Sequence, residues 1–389
     1  RNYLAEMFGG RKFPNGEYVI DYIEEIIDYQ KAFMKVVSDV RSQNMFTFPV
    51  LTYSLLYQNG KFIDEDFARW CSDHNTIWND SNFFIGPDVT SLSSCCRLIN
   101  DFSKLNGFIN SIGGTSLKIG SIKVNTINLM RIAYESKKDE KEYLKILTER
   151  VHLCIKTLDI IRNIIIRNIE KGLLPNYTTG LIEINNQYNT IGINAMYEAI
   201  RYFGYIEEDE FGKKKYSDKG MIFASKIMDL INEIKDSYSF DYSINVEAVP
   251  AERCAVVLCA KDNLLFDNEN DDFIYSNQWI PLTEECSIKE KLRLGAILDA
   301  KCGGGQISHI NIGGQFANKD IAWKVLNEIA KSGVIYFAFN TKISVCEHNH
   351  GFMGDICPIC GGKVVDTYQR IVGFLTPRKT YSYDRKREF

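Results

Sequence analysis

The segment SVCEHNHGFMGDICPICGG, residues 344–362, packs three cysteines and two histidines into fifteen positions, and RIVGFL follows at 370–375. Cys357 and Cys360 form a C-x2-C knuckle followed by Gly361, the turn that lets two thiolates reach one tetrahedral ion. The other half of such a site comes from Cys346 and a histidine. His350 gives a C-x3-H spacing with room for a turn before Gly351, and His348, at C-x-H, is the alternative. Cys346, His350, Cys357 and Cys360 would hold zinc with four protein ligands, so the site would be closed and structural. Three free thiols in a surface loop is the competing reading, but paired ligands at this spacing are among the more specific signals a sequence offers. RIVGFL alone reads as a short strand containing Gly373, and a glycine inside a strand marks a close backbone contact.

The surrounding chain has 389 residues, 45% of them hydrophobic, enough for a large core in two domains or one barrel-like domain. A net charge of −4 and a pI near 5.9 give no reason to expect a nucleic-acid polymer or an anionic membrane as partner. No apolar run approaches the roughly 20 residues that span a bilayer. The first twenty residues carry no secretion signal, and the chain opens on Arg1, as a processed chain or part of a longer one would. Eleven cysteines are odd in number and sparse for a disulfide scaffold, so reduced thiols in the cytoplasm are expected.

Apolar periodicity predicts helices over 18–43, 64–72, 140–172, 219–240 and 319–333, the third and last ending at Gly172 and Gly333. Strands are expected at 45–57, 120–129 and 334–341, and a strand or loop leading into a helix at 188–204. Residues 244–262 read as a strand, a proline-marked turn and an apolar segment. Residues 74–101 read as a long polar loop, kept from disorder by Trp78, Phe83, Phe84 and paired cysteines. No repeat or clear linker before residue 340 is visible. Strands alternating with helices make the class α/β.

Two further stretches carry chemistry. In SSCCRL, Cys95 and Cys96 are adjacent, so their side chains diverge and make a poor metal pair. Beside Arg97 one thiol can be reactive, and a buried apolar pair is the plainer reading. In KCGGGQISHINIGG, consecutive glycines permit close backbone approach to a ligand or phosphate, although a tight turn explains them equally well. His309 there sits in an apolar alternation, as a core histidine would.

Together these pieces resemble the anaerobic (class III) ribonucleoside-triphosphate reductases, the glycyl-radical ribonucleotide reductases. The C-terminal order is the family's: a zinc ribbon ending CPICG, an R-x-x-G-[YF]-L motif at Arg370–Leu375, and the basic tail YDRKREF. DHNTIWNDSNFFI, SSCCRL, VNTINLMRIAYES, PAERCAVVLCAKD and GGGQISHINIGG also look like family segments in family order, so the resemblance covers essentially the whole chain.

The resemblance implies a ten-stranded α/β barrel, here partial: a catalytic barrel portion at 1–340 with a finger loop near 90–100, a zinc ribbon at 341–365, and a radical loop and tail at 366–389. Gly373 would store a Cα radical, Cys96 would become the thiyl radical, and Cys95 would be a reductant-side thiol. Gly304, Gly305, Asn311 and Gly313 would contact substrate. Implied partners are ribonucleoside triphosphates, a [4Fe–4S]/S-adenosylmethionine activating protein, and formate or a thioredoxin-like dithiol as reductant. Formate-type members carry an asparagine roughly where this chain has Ser121, which favours the dithiol. A homodimer is also implied. The family's early-strand catalytic cysteine and N-terminal regulatory ATP-cone are not seen, and the first half of the ribbon departs from its usual C-x2-C or C-x2-H. The expectation is the C-terminal part of a split or truncated reductase that needs an N-terminal partner fragment.

Overall fold

The computed structural model describes residues 1–389 apart from 90, 94–98, 102–119, 249–251, 267–271, 305, 371–372 and 387–389. These residues form two compact units. One combines the chain up to residue 93 with His309–Tyr381, and the other is built on 120–308.

The first unit begins with α1 (Asn2–Phe8) and the long α2 (Ile23–Gln43). Strand β1 (Thr52–Gln58) turns through Asn59 and Gly60, both at positive φ, into β2 (Lys61–Phe62). Helix α3 (Glu65–Asn75) is capped by the Asp64 carboxylate, which accepts from the Phe67 N–H. Strand β3 (Asn82–Gly86) follows, with all five residues buried. The expected strand at 45–57 is thus shortened to β1, and part of the expected loop at 74–101 is a central strand. The polar run NDSN hides a strand whose Phe83 and Phe84 are fully buried. Two short strands, β4 (Ser91–Ser93) and β5 (Ile99–Asp101), pair with one another.

The second unit has a three-stranded parallel sheet in the order β10-β7-β6, formed by β6 (Gly120–Asn128), β7 (Gln187–Asn194) and β10 (Ile244–Ala248). Its helices are α4 (Leu129–Ser136), α5 (Glu140–Glu170), the single turn α6 (Pro175–Thr178), α7 (Met196–Tyr202), α8 (Asp218–Asp236), α9 (Glu252–Leu265) and α10 (Ile288–Leu298). A small hairpin pairs β8 (Ile206–Glu208) with β9 (Lys214–Tyr216). Tyr143, Leu147, Val151, Ile155 and Leu158 line the buried face of α5 at three-and-four spacing and pack into the core under the sheet. The apolar segment expected after the proline-marked turn is α9.

The chain then returns to the first unit through β11 (Ser308–Asn311), α11 (Lys319–Ser332) and β12 (Tyr336–Asn340). These complete a five-stranded mixed sheet, β11-β12-β3-β1-β2, in which β3 runs parallel to β1 and antiparallel to β12. Last comes a four-stranded sheet, β14-β13-β15-β16, from β13 (Ile343–Val345), β14 (Gly351–Phe352), β15 (Asp366–Arg370) and β16 (Leu375–Pro377). The fold is mixed α/β. Among the described residues the strands lie in separate sheets, not in one continuous ten-stranded ring.

Candidate functional site

The metal-type cluster and the glycine motif share that four-stranded sheet. Strand β13 ends at Val345, one residue before Cys346, and pairs antiparallel with both β14 and β15. Asn349 adopts a left-handed conformation (φ 63°) and its N–H bonds the Cys346 carbonyl at 2.9 Å, turning the chain so that His350 comes back toward Cys346. On the other side Gly361, at φ 71°, donates to the Cys357 carbonyl, and the Cys357 N–H reaches Gly362 O, both at 2.9 Å. Here the left-handed glycine is what closes the knuckle.

The ligand atoms of Cys346, His350, Cys357 and Cys360 all lie within 4.8 Å of one another. Cys360 Sγ is 3.6 Å from Cys346 Sγ, and Cys357 Sγ is 3.5 Å from His350 Nδ1. A tetrahedral zinc with bonds of about 2.3 Å to sulfur requires ligand atoms about 3.8 Å apart, so the donor set and its spacing fit that ion. Burial works against ionising Cys357, but the Cys360 and Ile359 backbone N–H groups and the His350 ring bring its thiol down to about 6. His348 lies outside the cluster; its side chain is 59% exposed and its ring stacks on His350 at 5.8 Å. The ribbon is seated on the end of α2: Met45 N–H donates to Asn349 O at 2.7 Å, and a Cβ on Gly351 would meet Arg41 O at 2.7 Å.

From the ribbon, β15 runs to Arg370 and pairs with β16, so that Arg370 opposes Leu375 and Gly373 lies in the connecting loop. Asn340, the last residue of β12, clamps the end of β15 with its side-chain amide. Its Oδ1 accepts from Arg370 N, and its Nδ2 donates to Arg370 O, both at 3.2 Å. The same Nδ2 reaches Asn311 Oδ1 at 3.1 Å. The Arg370 guanidinium is buried and donates to the carbonyls of Asn79 and Phe339. Burial lowers its pKa to about 10. Gly373 is itself buried, and its carbonyl accepts from Asn82 Nδ2 at 3.2 Å. The Phe374 ring packs on Phe48 with centroids 5.4 Å apart.

Of the other candidates, Cys95, Cys96 and Gly305 lie outside the described residues. Gly304, in the second unit, has φ +143°, a backbone angle that side chains disfavour. Asn311 belongs to the Asn340 clamp, and Gly313 is exposed with open space around it. Ser121 Oγ lies 3.1 Å from Thr190 Oγ1 on the neighbouring strand. Sequence reasoning did not single out Asn82, Asn340 or the buried Arg41–Asp80 ion pair beside them. An asparagine in a polar stretch gives no signal until its partner, 291 residues away in the case of Asn82 and Gly373, is known.

The fold and site define a class of α/β protein in which a Cys3His cluster and a loop carrying a buried glycine share one four-stranded sheet. The profile of the anaerobic ribonucleoside-triphosphate reductase family matches residues 15–389, and the chain belongs to that family. A solved anaerobic ribonucleotide reductase is 43% identical, with a TM-score of 0.91 over 99% of this chain and 61% of its own. The anaerobic ribonucleotide reductase of Thermotoga maritima, solved with dATP and CTP, is 42% identical, with a TM-score of 0.90 over 100% of this chain and 63% of its own. The anaerobic ribonucleoside-triphosphate reductase of Escherichia coli (strain K12) is 23% identical over 329 residues, 74% of this chain and 45% of that protein. The chain thus spans less than half the length of that curated relative. Among the described residues no helix is long and apolar enough to cross a membrane.

Proposed function

We propose that this chain reduces ribonucleoside triphosphates to 2′-deoxyribonucleoside triphosphates in the absence of oxygen, by glycyl and thiyl radical chemistry. The observation that carries this reading is Gly373, buried in a hairpin loop whose base is held by the ribbon and the Asn340 clamp, in a chain of this family. An activating protein with a [4Fe–4S] cluster and S-adenosylmethionine removes one hydrogen atom from Gly373 Cα. Glycine suits the role because no side chain twists the radical centre out of the plane of its two amides.

Gly373 then takes the hydrogen atom of the Cys96 thiol, and the Cys96 thiyl takes the 3′ hydrogen of the ribose. The 2′-hydroxyl leaves as water with an added proton. Two electrons and the hydrogen that replaces the hydroxyl at C2′ come from formate, which becomes carbon dioxide, or from a dithiol, which becomes a disulfide with Cys95 as the reductant-side thiol. The hydrogen returns to C3′ and the radical to Cys96 and Gly373. Gly304, Gly305, Asn311 and Gly313 supply backbone and amide contacts to the nucleotide.

Cys346, His350, Cys357 and Cys360 would hold zinc, which supplies a fixed point for β15 and no step of the reaction. In this reading the sheets contribute to a ten-stranded barrel, with 1–340 as its catalytic portion, 341–365 as the ribbon and 366–389 as radical loop and tail. The active form is a cytoplasmic homodimer.

The test is anaerobic incubation with the activating protein and S-adenosylmethionine, followed by electron paramagnetic resonance. The expected result is a glycyl doublet that disappears in Gly373→Ala, and cleavage of the chain near residue 373 on exposure to air. A doublet that survives in Gly373→Ala would sink the assignment. Turnover assays with formate and with reduced thioredoxin separate the two reductants. A second reading is a radical-carrying fragment that works only with a partner chain. Turnover that appears only when a polypeptide with the remaining segment is added would select it.

A further inference from the structure

We infer that Asn82 is a positioning residue for the radical, holding the Gly373 carbonyl in the plane that the unpaired electron needs. The inference rests on the reading of Gly373 as the radical site. Asn82 opens β3, between its neighbours β1 and β12, and is 1% exposed. Its Nδ2 donates to Gly373 O at 3.2 Å and to Tyr336 Oη at 3.0 Å. Tyr336 Oη in turn lies 3.3 Å from Thr52 Oγ1 on β1. The carbonyl of Gly373 can only accept, so the amide must present its NH2 to it, which fixes which end of the side chain faces the loop.

The other end of the amide is equally informative. Asn82 Oδ1 is buried and has no hydrogen-bond partner among the described residues. Leaving a buried acceptor unpaired is unfavourable, and native structures do so where another requirement prevails. Both hydrogens of Nδ2 are in use, one of them on the loop glycine, while the acceptor goes without. A side chain selected only for the stability of β3 would be apolar, like Phe83 and Phe84 beside it.

The chemical consequence follows from where the spin resides. When the Gly373 Cα–H bond breaks homolytically, the hydrogen atom leaves whole to the abstracting radical and no net charge appears on the loop. The electron left on Cα spreads onto the Gly373 carbonyl oxygen and the adjoining amide nitrogen, provided these are coplanar. A donor on that oxygen stabilises the oxygen-centred share of the spin and restrains rotation about the Cα–C bond. Asn82 thus acts on the lifetime of the radical without touching substrate.

Asn82→Leu and Asn82→Asp, both close to asparagine in size, test this in the full chain with the activating protein. In Asn82→Leu the doublet should form but decay about two- to tenfold faster in the absence of oxygen, the range of one lost hydrogen bond, with an altered hyperfine splitting. Asn82→Asp, which sets a carboxylate against the carbonyl, should give the lower yield of the two. Asn82→Leu also leaves Gly373 O and Tyr336 Oη without their donor, so its melting temperature should fall modestly, while the altered hyperfine splitting is a change that a merely structural asparagine does not give. A parent-like yield, splitting and lifetime in both variants would overturn the inference, provided Gly373→Ala is silent. A signal persisting in Gly373→Ala would instead overturn the reading of Gly373.

Discussion

Two guanidiniums lie buried near the glycine loop, and they are held in different ways. Arg41 pairs with the carboxylate of Asp80, whereas Arg370 has only backbone carbonyls as acceptors among the described residues. Burial lowers both pKa values to about 10, and for Arg41 the positive charge of Arg370 adds to it. Arg41→Met therefore strands a buried carboxylate and should cost about 3–5 kcal/mol. Arg370→Met leaves only neutral carbonyls unpaired and should cost less, about 1–3 kcal/mol. Glycyl radical yield should fall more in Arg370→Met, because Arg370 roots the loop. Denaturant unfolding beside electron paramagnetic resonance measures both, and equal effects on stability and radical would refute the distinction. At this scale the grouping of Cys346, His350, Cys357 and Cys360 was legible, since coordination chemistry imposes a spacing on the sequence. The carbonyl acceptors of Arg370 were not, because a backbone oxygen leaves no mark on residue type.

The sheet β14-β13-β15-β16 links two features that the sequence shows only as neighbours. Val345 opposes Asp366 across β13 and β15, so an ion held at Cys346 anchors the beginning of the strand that ends at Arg370. Its core is thin: Met45, Trp78, Ile343, Val345, Tyr368 and Leu375. So small a cluster buries little apolar surface, and a metal held by the four residues would supply part of the stability. Chelation, or Cys357→Ser, should release about one zinc per chain and speed amide exchange over 366–370 by tenfold or more. Exchange over β7, inside its own large core, should not change. Unchanged exchange in β15 after verified loss of zinc would show that the ribbon does not brace it. Elements like α5 and α11 were readable because their caps are local: Asp139 accepts from Lys141 and Glu142 N–H, and Gly333 ends α11 at φ 87°. Strand β3 was not, since the pairing that makes NDSNFFIG a strand comes from β1 and β12.

For the molecule as a whole, the second unit carries two buried carboxyls that set a pH dependence of stability. Burial, aided by the charge of Asp272, pushes Glu198 from an ordinary 4.5 to about 8; its Oε1 accepts from Ser276 N and its Oε2 has no partner among the described residues. Burial likewise raises Asp299 from 3.8 to about 7, although Trp279 Nε1 and Ser308 Oγ donate to it. Between the unfolded and folded values the folded chain keeps a proton that the unfolded chain has released. Stability is therefore full below the unfolded values and falls as pH rises toward 7 for Asp299 and 8 for Glu198. His74 acts in the opposite sense below 6.5: burial lowers its pKa, so its contribution grows as pH rises to that value. Between about pH 6.5 and 8 Glu198 should remove about 1.4 kcal/mol per pH unit. The Cys357 thiol, lowered to about 6, acts in the opposite sense, so the carboxyl is read by difference from a variant that lacks it. Glu198→Gln retains the acceptor for Ser276 and does not titrate. Its melting temperature should fall slightly below the parent's near pH 5 and exceed it near pH 8, so that the difference between the two reverses sign. Calorimetry at those pH values decides the matter, and a Glu198→Gln curve parallel to the parent's would mean that this carboxyl does not govern stability above neutrality.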